Sequence, residues 1–213
     1  MVFQYYKLRF KYKKIYFIFF LALMGIPLLS AQNFDKSGAI KTKDGFLLYL
    51  NNDKESYTIN LKGEINLYPE NEIIEINGNF FSINHIPKSK FGILEDEILT
   101  NFQNWEHEYL ESDIFKIKIP IKNKRPKIGS QHFNFWYFEI PKDPTIFKPA
   151  SKTFYLDFIH GQTIYSFKHS SFKGNEKEAY DFLLGIFESM HFYVKGIDIA
   201  KLRERILKGE NFY

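Results

Sequence analysis

Hydrophobic and polar residues alternate along several short segments of the chain, and a period of two predicts β-strands. The clearest local signal is a hairpin, in which the apolar segments 73–76 and 79–83 flank Asn77–Gly78. An Asn-Gly pair tolerates positive φ at both central turn positions, as the type I′ turn of a two-residue hairpin requires. We therefore predict a hairpin whose register places Ile74 opposite Phe81.

A second hairpin is predicted from residues 154–159 and 163–169, which flank a turn at Gly161–Gln162. Pairing His160 with Thr163 separates the side chains into two faces, and a slip of one residue would mix them, so the register is well specified. One face carries Phe154, Leu156, Phe158, Tyr165, Phe167 and His169, and the other carries Tyr155, Asp157, Ile159, Ile164, Ser166 and Lys168.

Two more strands are predicted in the middle of the chain. Residues 115–122 alternate large apolar residues with lysine and proline. Because Pro120 cannot donate a ladder hydrogen bond and the polar face is basic, this segment is typical of an edge strand. Residues 132–140 are rich in aromatic side chains on both faces, which predicts a strand that is covered from both sides.

A helical period replaces the alternation between residues 95 and 112. The apolar side chains of this segment fall on one arc of roughly 140°, and polar side chains, His107 among them, take the opposite side. We predict an amphipathic helix that packs on the sheet through Ile98, Leu99, Phe102, Trp105, Tyr109 and Leu110.

A second helix is predicted to begin at Asn175, where Glu178 follows at the spacing of a capping box. Its apolar arc spans roughly 200°, about twice what a helix packed on one sheet needs. A second cover is therefore expected. The short amphipathic helix at residues 198–208 is the prediction, and a partner protein or an apolar ligand is the alternative.

This order of elements predicts an α+β fold. An antiparallel β-sheet of about 6–8 strands in hairpins would carry the mid-chain helix and a C-terminal helical pair. Residues 45–213 are long enough for one domain. Residues 32–44 are polar and contain glycine, and we predict that they form a flexible lead-in.

The first 31 residues have the layout of a secretory signal peptide, with a basic start, an apolar run and cleavage after Ala31. The apolar run of about 15 residues is shorter than the roughly 20 that span a bilayer. We predict a cleaved leader and export to the bacterial periplasm or medium. The alternative is an uncleaved anchor, and only in that form do we expect contact with a membrane.

Charge and cysteine content exclude several classes of protein. The formal charge of +4 arises in the leader, because residues 32–213 carry 24 basic and 25 acidic residues. A nucleic-acid-binding protein needs a basic footprint in its folded part, so we expect no nucleic-acid partner. With no cysteine in the chain, a disulfide framework, a thiol nucleophile and a lipoprotein anchor are excluded.

The motifs of common enzymes are absent from the sequence, including G-x-S-x-G, the Walker A loop and H-E-x-x-H. Asp157, His160 and Ser166 lie close in sequence, but the predicted register places His160 on the face opposite the other two. We therefore predict a hydrogen-bonded Asp157–Ser166 pair. His160 and His169 would lie roughly 20 Å apart. We assign no catalytic residue, metal ligand or cofactor.

The aromatic content is the most unusual feature, with 24 Phe, 14 Tyr and 2 Trp residues in the chain. The densest block, residues 133–138, has two interpretations. It is either a groove that stacks on a sugar or apolar ligand, or part of a Phe-rich core. The candidate ligand-binding residues are His132, Trp136, Tyr137, Asp157 and His160.

These observations favour a non-catalytic exported domain that binds an envelope protein or a small apolar or aromatic-stacking ligand. One alternative is a small exported hydrolase, in which His132, Asp157 and His160 would converge in a concave pocket. Another is an envelope protein anchored through residues 1–31.

Overall fold

The computed structural model describes residues 37–52, 55–69, 72–141 and 150–210. The predicted signal peptide lies outside these residues. Among the helices of the described ranges, none combines the length and the apolar character that crossing a bilayer requires.

The fold is α+β, as predicted. The described residues contain three α-helices, Glu95–Tyr109 (α1), Glu176–Glu188 (α2) and Ile199–Leu207 (α3). The strands are Ser37–Lys41 (β1), Gly45–Asn51 (β2), Ser56–Lys62 (β3), Ile65–Tyr68 (β4), Ile73–Ile76 (β5), Asn79–Pro87 (β6), Ile121–Lys124 (β7), Lys127–Ile128 (β8), Gln131–Glu139 (β9), Lys152–His160 (β10), Thr163–Ser171 (β11) and Met190–Phe192 (β12). A short 3₁₀-helix, Lys88–Lys90, precedes α1, and a π-helical turn, Leu110–Phe115, follows it.

The strands form two antiparallel sheets. The large sheet runs in the order β4-β5-β6-β11-β10-β9-β7, with β8 also paired to β9, and it matches the predicted sheet. The small sheet runs in the order β1-β2-β3-β12. Both predicted hairpins are confirmed in their register, with Ile74 opposite Phe81 and His160 opposite Thr163.

Strand β1 corrects part of the prediction of a flexible lead-in over residues 32–44, of which residues 32–36 lie outside the described ranges. Residues 37–41 pair with β2 from Ser37 opposite Leu50 to Lys41 opposite Phe46. The side chains of this edge strand are mostly exposed. Backbone pairing requires no apolar face, so a polar sequence can form such a strand without showing alternation.

The predicted strand over residues 115–122 is only partly correct. Helix α1 continues into the π-helical turn, Lys116 ends that turn with a φ of 57°, and the strand begins at Ile121. The segment between them is held by the helix instead. The Ile119 N–H donates to Glu111 Oε1 at 2.6 Å, and His107 Nε2 lies 2.7 Å from the Ile119 carbonyl oxygen. His107 is therefore half-buried. The prediction that it lies on the solvent-facing side of the helix is only partly correct.

Helix α2 packs between the two sheets. One core cluster joins apolar side chains of α2 to those of β3 and to the aromatic side chains of β9, β10 and β11, and it includes Tyr57, Ile59, Leu61, Phe135, Leu156, Phe158, Ala179, Leu183 and Ile186. The small sheet thus provides the second cover that the wide apolar arc of α2 required. The prediction had assigned that cover to the C-terminal helix. Helix α3 is fixed near β2, where the Asn51 amide exchanges two 2.9 Å hydrogen bonds with the Ile197 backbone.

Candidate functional site

Helix α1 buries two polar side chains against the large sheet. Gln103 is 3% exposed and Glu106 is 5% exposed, whereas Trp105, predicted to lie on the buried face, is 45% exposed. Asn134 of β9 donates to Gln103 Oε1 at 2.8 Å. The side of α1 that faces the sheet therefore carries polar groups that periodicity did not reveal.

Glu106 is neutralised by a lysine from the middle of the large sheet. Lys168 Nζ donates to Glu106 Oε1 at 2.6 Å, and both side chains are 7% exposed. The same ammonium lies 5.2 Å from the centre of the Tyr155 ring, and Tyr155 stacks on Trp136 at 3.8 Å. Burial of opposite charges as a hydrogen-bonded pair avoids the large penalty of burying either one alone.

Asp157 lies beside this pair and is completely buried. Ser166 Oγ donates to Asp157 Oδ1 at 2.6 Å, and Trp136 Nε1 donates to Oδ2 at 2.7 Å. Burial raises the pKa of the Asp157 carboxyl to about 7, against the lowering effect of these two donors. The predicted Asp157–Ser166 pair is thus confirmed. We call Gln103, Glu106, Asn134, Trp136, Tyr155, Asp157, Ser166 and Lys168 the polar cluster.

The five sequence-predicted binding residues do not form one site. Trp136 and Asp157 are joined by the hydrogen bond just described. Tyr137 lies on the opposite face of the sheet and donates to Glu176 Oε2 at 2.7 Å. His160 is exposed and stacks on Phe192 at 3.6 Å, again on that opposite face. His132 is half-buried near the start of β9.

This arrangement separates two of the residues that the hydrolase alternative requires to converge. Asp157 and His160 point to opposite faces of β10, so their side chains cannot act on the same substrate atom. Trp136 is 0% exposed and Tyr137 is 6% exposed, so neither ring presents a free face to a ligand. The aromatic block of residues 133–138 belongs to the core.

An open groove of about 640 Å³ lies between α2 and the strands β3, β5 and β12. Its volume is within the range of about 300–1,000 Å³ that is usual for ligand pockets. Apolar side chains form the floor, namely Leu61, Ile76, Phe182, Ile186 and Met190, and the rim is formed by Asn60, Lys62, Asp181, Gly185, Glu188, Ser189 and His191.

Gly185 is the residue that shapes the groove on the α2 side. It lies in the second half of this helix, and a Cβ atom built there would meet nothing within 4 Å. Glycine inside a helix costs about 0.5–1 kcal/mol relative to alanine. Neither close packing nor a positive φ requires glycine at this position. It places no side chain on this part of the groove wall.

The rim of the groove carries both signs of charge. Lys62 and Glu188 are exposed on it, and the Asp181 carboxylate forms an ion pair with Lys177, one turn earlier in α2. His191 lies on the neighbouring strand β12. The groove therefore combines an apolar floor with a rim that can meet an anion, a cation or both.

A second exposed feature lies on α1 and the loop before it. Ile93 is 91% exposed, Leu94 is 64% exposed and Trp105 is 45% exposed. The Trp105 ring lies 5.7 Å from Phe91 and is nearly parallel to Tyr109 at 6.5 Å. We call these five residues the aromatic surface. Patches of exposed apolar side chains mark interaction sites in many proteins.

Comparison of the sequence with known protein families finds no matching family model, and comparison with curated proteins finds no match. Within the four described ranges, no group of three acidic or histidine side chains is placed to hold a metal ion. The geometry of the groove and of the exposed surfaces therefore carries the functional argument.

Proposed function

We propose that this chain is an exported, non-catalytic binding domain that holds a small amphipathic ligand in the groove beside α2. The observation that carries the proposal is the groove itself, an open space of about 640 Å³ with apolar side chains at its floor and charged side chains at its rim. Gly185 places no side chain on its α2 wall.

The composition of the groove indicates the class of ligand. Its floor is lined by Phe182, Ile186 and Met190, which suit an apolar or aromatic body. The charged rim suits a polar or ionised end that stays in contact with water. The ionisable side chains of the polar cluster lie on the other face of the large sheet, where they are paired and buried, so they do not contribute chemistry to the groove.

The proposal is tested by closing the groove at Gly185. The probe is anilinonaphthalene sulfonate, a compact apolar ring system with an anionic end, and its binding is measured by calorimetric titration. We expect saturable binding to the native protein and at least about a tenfold loss in Gly185→Leu, since a leucine side chain there would project into the groove. Gly185→Ala is the matched control and should bind almost as well as the native protein.

Equal binding by Gly185→Leu and the native protein would refute the groove as the site. The native ligand is sought by native mass spectrometry of the protein isolated from its host envelope, where a bound species should be present and should be lost in Gly185→Leu. Turnover of ester, glycoside, peptide or phosphate substrates that a point mutation abolishes would overturn the non-catalytic part of the proposal.

A second candidate function is docking of an envelope protein on the aromatic surface. It is favoured by the exposure of Ile93, Leu94 and Trp105. The test first captures envelope proteins on the immobilised native chain and on the Trp105→Ser variant. A protein captured by the native chain alone is then purified, and we expect it to bind the native chain at least about tenfold more tightly than the variant. Equal affinities would exclude the aromatic surface.

A further inference from the structure

Positive charge is concentrated at one edge of the large sheet. Six basic residues fall between positions 116 and 127, and the chain has no acidic residue between Asp113 and Glu139. All six are exposed, namely Lys116, Lys118, Lys122, Lys124, Arg125 and Lys127. We call this set the basic edge. Because residues 32–213 are almost neutral as a whole, the rest of that part of the chain has an acidic excess.

Only part of this charge is neutralised within the described residues. Lys118 pairs with Glu111 at 2.7 Å, and Lys124 pairs with Glu176. Arg125 donates to the Thr100 hydroxyl at 2.6 Å. No described acidic group forms an ion pair with Lys116, Lys122 or Lys127. The basic edge therefore has a positive potential that attracts an anionic partner.

Two exposed isoleucines lie among these cations. Ile117 is 51% exposed between Lys116 and Lys118, and Ile128 is 37% exposed next to Lys127. If these lysines served only to prevent edge-to-edge pairing of strands, no exposed apolar side chains would be needed between them. Cations that alternate with apolar groups suit a lipid interface, where headgroups meet the charges and short apolar side chains enter the acyl boundary.

The basic edge is also long. Strands β7 and β8 follow one another along β9, pairing it from Ile121 opposite Phe138 to Ile128 opposite Gln131. At about 3.3 Å per residue, eight residues extend for up to about 26 Å. Such an array exceeds what a small anion contacts and matches a surface of many anionic groups.

We propose that the basic edge docks this domain on an anionic lipid surface, which differs from the sequence-based expectation that only an uncleaved leader would contact a membrane. The register places Lys122 and Lys127 on opposite faces of the sheet, so the domain docks with this edge towards the lipid. In that orientation Lys116, Lys122 and Lys127 contact the headgroups, and Ile117 and Ile128 enter the interface. This docking goes beyond the proposed ligand groove and does not depend on it, since the two sites share no residue.

The test is co-sedimentation of the protein, as isolated from its host, with phosphatidylcholine vesicles that contain phosphatidylglycerol. The variant Lys116→Gln/Lys122→Gln/Lys127→Gln removes the three lysines that form no ion pair with a described acidic group. The control Lys43→Gln/Lys195→Gln/Lys201→Gln removes the same charge from exposed lysines elsewhere. Native and variant chains carry the same N-terminus, so a contribution from the leader is common to both.

We expect the basic-edge variant to bind these vesicles at least about tenfold more weakly, and the control to bind nearly as well as the native protein. Ile117→Asn should also weaken binding, and added salt should reduce it. Equal losses in the variant and the control would overturn the proposal, as would equal binding to vesicles of phosphatidylcholine alone. Binding to soluble polyglutamate without vesicle binding would reassign the basic edge to an acidic protein.

Discussion

The fold raises the pKa of the Asp157 carboxyl group to about 7, so this group is mostly protonated below neutral pH. Glu106 and Lys168 cancel one another next to it, so an ionised Asp157 would leave the polar cluster with a net negative charge. Burial is the main cause of the raised pKa of about 7. Between pH values near 4 and 7, the unfolded chain has lost this proton while the folded chain still holds it. The free energy of unfolding therefore falls as pH rises through this window.

Asp157→Asn should remove this fall, because asparagine can accept from Trp136 and donate to Ser166 without ionising. Relative to the native protein, we expect no gain near pH 4 and a gain on the order of 4 kcal/mol above about pH 8. Urea unfolding across this pH range measures the difference. Asp113→Asn, at an exposed aspartate, is the control, and an unchanged slope in Asp157→Asn would contradict the assignment.

At the scale of elements, two tyrosine contacts connect the small sheet with the large one. Tyr57 of β3 has its hydroxyl 2.8 Å from His85 Nε2 of β6, and Tyr165 of β11 donates to Glu55 Oε2, just before β3, at 2.6 Å. Burial lowers the pKa of His85, against the raising effect of the Glu55 charge. The neutral imidazole is therefore part of the junction between the sheets.

The pKa of His85 is lowered, whereas that of Asp157 is raised, so the two residues affect stability in opposite directions as pH changes. Below about pH 6.5 the unfolded chain binds a proton on His85 before the folded chain does, so stability is lost as pH falls. His85→Gln should reduce that acid-side loss while keeping a hydrogen-bonding partner for Tyr57. Thermal unfolding between about pH 5 and 7 would show it. His191→Gln, at an exposed histidine, should leave the profile unchanged, and a similar change in both variants would exclude a specific role for His85.

The elements that sequence reasoning predicted are those whose signals are local. Asn77–Gly78 fixes a turn, and alternation on either side fixes the register, so both hairpins followed from short segments. The segment around Ile119 misled because its alternation does not correspond to one buried face: Ile119 is buried beside Trp136, whereas Ile117 is 51% exposed. The orientation of α1 depended on Asn134 and Lys168, whose positions across the sheet no local pattern gives.

At the scale of the whole molecule, the two faces of the large sheet have different character. One face carries α1 and the polar cluster. The other carries α2 and the small sheet around an apolar core. The groove forms where α2, β3, β5 and β12 meet, so its residues come from three separate segments of the chain. Sequence reasoning could not bring them together, and Gly185 inside a predicted helix was the one local sign that it could have used.

The two tryptophans have very different surroundings. Trp136 is completely buried against Tyr155 and hydrogen-bonded to Asp157, whereas nearly half of the Trp105 side chain is open to solvent. The intrinsic fluorescence of the protein therefore has two separable sources. A dissolved quencher such as acrylamide should reach Trp105 and spare Trp136. The protected emission, from Trp136, should respond to the proton on Asp157. The quenchable emission, from Trp105, should respond to anything that covers the aromatic surface. The unlabelled protein can therefore report both events.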